Sequence, residues 1–148
     1  WTPLFHACSQ GSVDLVRWLL KHQCDAQDTA NGNMSALMTI IGAKNHTKIA
    51  SQLVRRSCSV NAQNDSGDTA MMLALRDDQL EFAQWILDDP HTDVLLRNLA
   101  GEDAIDICES LGLQGMRMKL ESKARHQAEL QAEKEKSAAK MRDEVMGK

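Results

Sequence analysis

The chain has 148 residues, of which 43% are hydrophobic and 26% are charged, a balance typical of a folded globular protein rather than of a disordered chain. No apolar run approaches the roughly 18 residues that a membrane-spanning helix needs. With only 3% aromatic residues and no tyrosine, a base-stacking nucleic-acid surface is not expected either. The net charge of −4 is unevenly divided, because residues 1–115 contain 8 Lys/Arg and 15 Asp/Glu whereas residues 116–148 contain 9 and 6. This division indicates an acidic body with a mildly basic tail.

The body contains an internal repeat with a period of 33 to 34 residues. A Ser, Thr or Asp followed by a short apolar stretch occurs at Thr2, Ser35, Thr69 and Asp103. A turn-forming residue keeps the same period two positions earlier, at Asn33, Gly67 and Gly101. These recurrences divide the body into units 1–33, 34–67 and 68–101 and the beginning of a capping unit, 102–115.

Each unit is predicted to form two short helices and a polar loop. The opening Ser, Thr or Asp is a good N-cap, since its side-chain oxygen can accept from free backbone N–H groups. Pro3 falls in the first helical turn, where its missing N–H costs nothing. The second helix has apolar residues at helical spacing, as at Leu15, Val16 and Leu19. No unit can bury its apolar side alone, so neighbouring units must stack to form one core.

The units resemble ankyrin repeats, most clearly at Thr2-Pro3-Leu4 and over residues 60–69. The resemblance implies an all-α solenoid of stacked helix-turn-helix units with hairpin-like loops. The histidine of the family signature is replaced here by Phe5, Met38, Met72 and Asp106. Residues 116–148 contain no proline and are rich in helix-forming residues, so they predict an extended C-terminal helix. Its heptad pattern is too interrupted for a regular coiled coil.

No catalytic, cofactor or metal site is predicted. The five histidines are scattered over different units, and Asp77-Asp78 and Asp88-Asp89 fall at exposed helix ends rather than in a cleft. The four cysteines, at positions 8, 24, 58 and 108, form no C-x-x-C pair, which favours buried, reduced thiols and a reducing intracellular compartment. Trp18 and Trp85 occupy equivalent positions on second helices and are expected to point into the core.

The resemblance implies that partners bind the hairpin tips and the concave face of the first helices. The residues expected there are Met34, Met38, Asp65, Ser66, Asp68, Met72, Arg76, Asp77, Leu99 and Glu102. The methionines could equally fill the core. The acidic side chains suit a protein partner with a basic surface, although an ordinary solvated acidic rim would have the same composition. Charge reversal at Asp65 and Asp68 should then weaken partner capture without changing the melting temperature.

The favoured function is therefore a non-catalytic adaptor or scaffold that binds a protein partner, with no small-molecule substrate. Nucleic acid is not expected as a partner, because glutamates alternate with the lysines of the tail. Two alternatives remain open: a regulatory or targeting domain of a larger enzyme or channel, and a structural subunit of a large assembly anchored by the tail helix. The chain begins with Trp1 rather than Met, which favours a longer parent protein.

Overall fold

The computed structural model describes residues 2–22 and 24–147, and in these it contains eight α-helices and one two-stranded hairpin. The antiparallel strands β1 (Thr29–Ala30) and β2 (Met34–Ser35) pair Thr29 with Ser35 across a 3₁₀ turn at Asn31–Asn33. The helices are α1 (Pro3–Gln10), α2 (Val13–Lys21), α3 (Ala36–Thr39), α4 (His46–Arg55), α5 (Ala70–Arg76), α6 (Leu80–Asp88), α7 (Ala104–Leu111) and α8 (Gln114–Met146).

The helices form antiparallel pairs that stack side by side. Within each repeat the first helix packs against the second, as α1 does on α2 and α5 on α6. The first helices α1, α3, α5 and α7 form one row, and the second helices α2, α4 and α6 form another. This two-layer arrangement confirms the predicted all-α solenoid with a long C-terminal helix.

The core lies between the two helical rows and runs through every repeat. Large side chains are fully buried from the first repeat to the last, and each contributes about 1.5–3 kcal/mol relative to an exposed position. Those with the largest volumes are Phe5, Phe82, Leu4, Leu37, Ile40, Ile49, Leu53, Met72, Leu75, Ile86, Ile107 and Leu120. Because these buried side chains form one continuous core, no repeat has a core of its own.

The predicted N-caps form in two of the four units. Thr69 accepts from Met72 N at 3.4 Å, and Asp103 forms a reciprocal capping box with Asp106 at 2.9 and 3.1 Å. The hydroxyl oxygens of Thr2 and Ser35 are buried and have no hydrogen-bond partner among the residues that the structure describes. Thr2 and Ser35 therefore have the extended backbone of an N-cap residue, but their side chains do not make the capping hydrogen bond.

The first helix of the second repeat is a single turn. α3 spans four residues, and the Thr39 hydroxyl donates to Ala36 O at 2.8 Å rather than pointing to solvent. The following turn contains two left-handed residues, Gly42 (φ 81°) and Asn45 (φ 58°), before α4 begins. Six residues, 40–45, separate α3 from α4, whereas two residues, 11–12, separate α1 from α2.

The tail helix is continuous with the second helix of the fourth repeat. α8 has 33 residues, and it crosses the predicted boundary between positions 115 and 116 without a break. Met116 and Leu120 are buried against the stack, whereas every residue from 131 to 146 is exposed. The first half of α8 is thus part of the solenoid, and the second half extends about 24 Å into solvent.

Polar side chains of α8 hold its first half against the third repeat. The Lys123 ammonium donates to Leu87 O and to Asp89 O (2.7 Å), which are carbonyls at the end of α6. The Gln127 amide donates to Thr92 O at 2.5 Å and accepts from Val94 N at 3.2 Å. Burial lowers the pKa of Lys123, and Asp89 and Asp88 oppose this shift. Lys123 therefore acts as a C-cap for α6 supplied by another helix.

The two equivalent tryptophans lie in different environments. Trp85 is half-buried and stacks on Phe82, whose ring meets the edge of His46 on α4. Trp18 is 55% exposed and stacks on His22, so the expectation that it points into the core is wrong. Among the described helices, α1 and α4 make the extensive contacts with α2, and Trp18 stacks instead on the exposed ring of His22 at the end of its own helix.

Candidate functional site: the hairpin rim

The loops between repeats form a continuous rim, which we call the hairpin rim and define as residues 31–33, 64–67 and 98–101. Backbone hydrogen bonds connect successive tips: Asp65 N donates to Gly32 O at 2.9 Å, and Leu99 N donates to Ser66 O at 3.0 Å. Since each tip is bonded to the next, the three tips have fixed positions relative to one another.

Asparagine side chains fix the second and third tips from within. Asn64 Oδ1 accepts from the backbone N–H groups of Ser66 and Asp68, both at 3.0 Å. Asn98 Oδ1 likewise accepts from Glu102 N at 2.9 Å. These bonds replace those that a regular strand would supply, and they close each tip as a tight turn.

Gly67 allows the second tip to approach the third. Its backbone is left-handed (φ 76°), and a Cβ at this position would lie 2.8 Å from Leu99 N and 2.9 Å from Asn98 Cα. Backbone atoms cannot move aside as a flexible side chain can. The glycine is therefore required both for its conformation and for the space it leaves.

A charge network lies just beneath the rim. Arg76 donates to Asp68 Oδ2 at 2.8 Å and to Glu102 Oε1 at 3.2 Å. Asn98 Nδ2 donates to Asp68 Oδ1 at 3.0 Å, so both oxygens of the Asp68 carboxylate have partners. Two of the four acidic side chains predicted to face a partner are thus paired with Arg76 inside the protein.

The structure separates the predicted binding residues into three groups. Met38, Met72 and Asp68 are buried, so the two methionines fill the core, which is the alternative left open above. Arg76 is exposed and Glu102 is half-buried, but the two are paired with each other, and Met34 is half-buried beside Asn64. The remaining four residues are exposed, and they are Asp65, Ser66, Asp77 and Leu99, with Leu99 82% exposed.

The burial of Asp68 also corrects the expected outcome of charge reversal. A lysine at position 68 would face Arg76 and would lose the hydrogen bond from Asn98. The structure therefore argues against the expectation that this position can be reversed without a change in melting temperature.

Sequence reasoning missed the asparagines that organise the loops. Asn64 and Asn98 occupy equivalent positions 34 residues apart, and this recurrence was a usable signal. Asn61 donates to His91 O at 2.7 Å and accepts from Asp93 N at 2.8 Å, which joins the loops of two repeats. These contacts lie too far apart in sequence for local patterns to reveal them.

The cysteines are free thiols, of which Cys8, Cys58 and Cys108 are buried and Cys24 is half-buried. Burial raises the pKa of Cys8 to about 12 and the pKa of Cys58 and Cys108 to about 11. A thiol with so high a pKa is almost entirely protonated near neutral pH and is a poor nucleophile. Within residues 2–22 and 24–147, no three His, Cys, Asp or Glu side chains are grouped so that they could hold a metal ion.

Comparison with known proteins identifies the repeat. A family model for ankyrin repeats, in three copies, matches residues 4–98. No curated protein matches the chain significantly. Among the described helices, none is both long enough and apolar enough to cross a membrane.

Proposed function

The chain belongs to the ankyrin-repeat family, whose members are generally protein–protein interaction modules, and on this premise we propose that it is a non-catalytic adaptor that binds a protein partner through its hairpin rim. The observation that carries the proposal is the hydrogen-bonded row of tips, which presents Asp65, Ser66 and Leu99 from loops that need no ordering on binding. A preorganised surface loses little conformational entropy when a partner docks.

The exposed residues define the chemistry of the partner. Leu99 is a large apolar side chain at the end of the rim, and it can serve as an anchor if the partner offers a pocket. Asp65 and Asp77 are exposed carboxylates with no ion pair among the described residues. A partner surface with a small apolar pocket and neighbouring Lys or Arg side chains complements this arrangement.

The test compares rim variants with matched variants elsewhere on the full chain. A photo-crosslinking residue placed at Ser66 should capture the partner from the native source, whereas the same residue at Ser137 on the solvent-exposed half of α8 should not. Against the captured partner, Leu99→Ser should weaken binding about tenfold or more, as expected for an anchor residue, with an unchanged melting temperature. Absence of crosslinking from Ser66, or unchanged affinity of Leu99→Ser, would place the interface elsewhere.

Charge reversal gives an independent measurement at Asp65 on the rim and at Asp77, which follows the C-terminal end of the first helix α5. Asp65→Lys with Asp77→Lys should slow association and reduce its salt dependence, because exposed charges act mainly on the association rate. Asp143→Lys with Glu144→Lys on the tail makes the same change in net charge and serves as the control. If both double variants slow association by the same factor, the net charge of the protein rather than the rim determines the association rate.

A second candidate function is supported by the exposed half of α8. Residues 131–146 form a helix in which every residue is exposed, which suits a structural subunit anchored in an assembly by its tail. In the native complex this segment should resist proteolysis, whereas in the isolated protein it should be cleaved first. Rapid cleavage in both settings would remove this candidate. A regulatory or targeting domain of a larger enzyme or channel is the remaining alternative, and the full reading frame decides it.

A further inference from the structure

Charge is segregated along the repeat stack as well as between body and tail. Residues 1–56 contain six Lys/Arg and three Asp/Glu, whereas residues 57–115 contain two and twelve. The acidic character of the body therefore belongs to the third and fourth repeats. The first two repeats are basic, and their positive side chains lie mainly on the second helices, away from the hairpin rim.

Four of these cations surround one groove between α2 and α4, which we call the basic groove. It has a volume of about 260 Å³ and is lined by Arg17, Leu20, Lys21, Gln52, Arg55 and Arg56. The four charged side chains belong to exposed residues, and Leu20, buried to 5% exposure, is the apolar part of the lining. This arrangement places positive charge on both sides of a shallow depression.

The cations of the basic groove are largely without counter-charges in the protein. Arg17 contacts Asp14 at 3.7 Å, but both side chains are mostly exposed and such a pair is weak. Within residues 2–22 and 24–147, the other three have no ion pair. The C-terminal ends of α2 and α4 together supply about one elementary negative charge, against four positive ones.

The floor of the groove indicates which anion fits. The side-chain oxygen of Gln52 is buried and has no donor among the described residues. A peptide has N–H groups that can meet this oxygen once a neighbouring side chain moves aside, whereas a phosphodiester backbone has none. A long polyanion would also extend over the third and fourth repeats, where eleven acidic residues repel it.

We propose that the basic groove is a second binding surface, which takes a short acidic peptide segment of a protein partner. Carboxylates of the segment pair with Arg17, Lys21, Arg55 and Arg56, and a peptide N–H satisfies Gln52. The groove lies on the outer helices, so it is separate from the hairpin rim and does not depend on it.

The test measures binding of a fluorescein-labelled oligoglutamate peptide to the full chain by fluorescence anisotropy at low salt. Arg55→Glu with Arg56→Glu should weaken binding about tenfold or more, since two attractions become repulsions. Lys134→Glu with Lys136→Glu changes the net charge equally on the exposed half of α8 and should alter the affinity by less than about twofold. Both variants change exposed side chains, so circular dichroism and the melting temperature should match those of the unmodified protein.

Three results would overturn the proposal. The first is equal loss of affinity in the two double variants, which would mean that only net charge matters. The second is no measurable binding of oligoglutamate at low salt. The third is binding of a single-stranded oligonucleotide or of anionic lipid vesicles as tight as that of oligoglutamate, lost with Arg55→Glu and Arg56→Glu, which would assign the groove to a different class of ligand. None of these outcomes bears on the rim, which is tested separately.

Discussion

Asp68 gives the sharpest prediction about stability, because its environment differs so much from that of Asp65 three residues earlier. Asp68→Ala removes a 2.8 Å charge-assisted hydrogen bond from Arg76 and a 3.0 Å hydrogen bond from Asn98. Arg76 keeps Glu102 at 3.2 Å, so its charge remains partnered. The loss should therefore be smaller than the roughly 3–5 kcal/mol seen when a fully buried pair is broken.

From these two bonds we expect Asp68→Ala to lower the free energy of unfolding by about 2 kcal/mol. For a chain of this size, that corresponds to a fall in melting temperature of about 4–8 °C. Asp65→Ala, at an exposed position, should change the free energy of unfolding by less than about 0.5 kcal/mol.

The assay is thermal unfolding followed by circular dichroism, together with a double-mutant cycle on Asp68 and Arg76. The cycle should give a coupling energy of about 1–2 kcal/mol, because the two side chains are in direct contact. If Asp68→Ala melts within a degree or so of Asp65→Ala, the network contributes nothing measurable and the reasoning from burial fails.

Four further predictions concern other parts of the fold. In urea unfolding, Gly67→Ala should lower the free energy of unfolding by about 2–3 kcal/mol and Gly101→Ala by only about 1 kcal/mol. Both glycines have a left-handed backbone, but an added Cβ would meet backbone atoms only at Gly67. Equal losses of stability in the two variants would contradict the steric argument. In the native protein a thiol reagent at pH 8 should modify Cys24 alone, and rapid loss of all four thiols would show that the core opens easily. Since burial raises the pKa of the other three from 9.0 to about 11 or 12, their contribution to the free energy of unfolding should be constant below pH 9 and should fall as the pH rises toward 11. Lys123→Met should speed amide hydrogen exchange over the first half of α8, because it removes the hydrogen bonds to the end of α6, whereas Lys136→Met should not. If the two variants exchange at the same rate, apolar packing alone holds this helix against the stack.

The sequence by itself determined the repeat, and with it the fold. A period of 33 to 34 residues, an N-capping residue at each start and apolar spacing on the second helices are local patterns, and each follows from backbone geometry. The same patterns predicted where the hairpin tips lie, since the turn-forming Gly67 and Gly101 keep the repeat period.

Only the tertiary structure decided which residues at those positions reach solvent. Asp65 and Asp68 look alike in the sequence, but one is exposed and the other is buried beside Arg76. Trp18 and Trp85 share a repeat position, but Trp85 stacks on the buried Phe82, whereas Trp18 stacks on the exposed His22. Burial depends on what the neighbouring repeat supplies, about 34 residues away, and a local pattern contains no information about that neighbour.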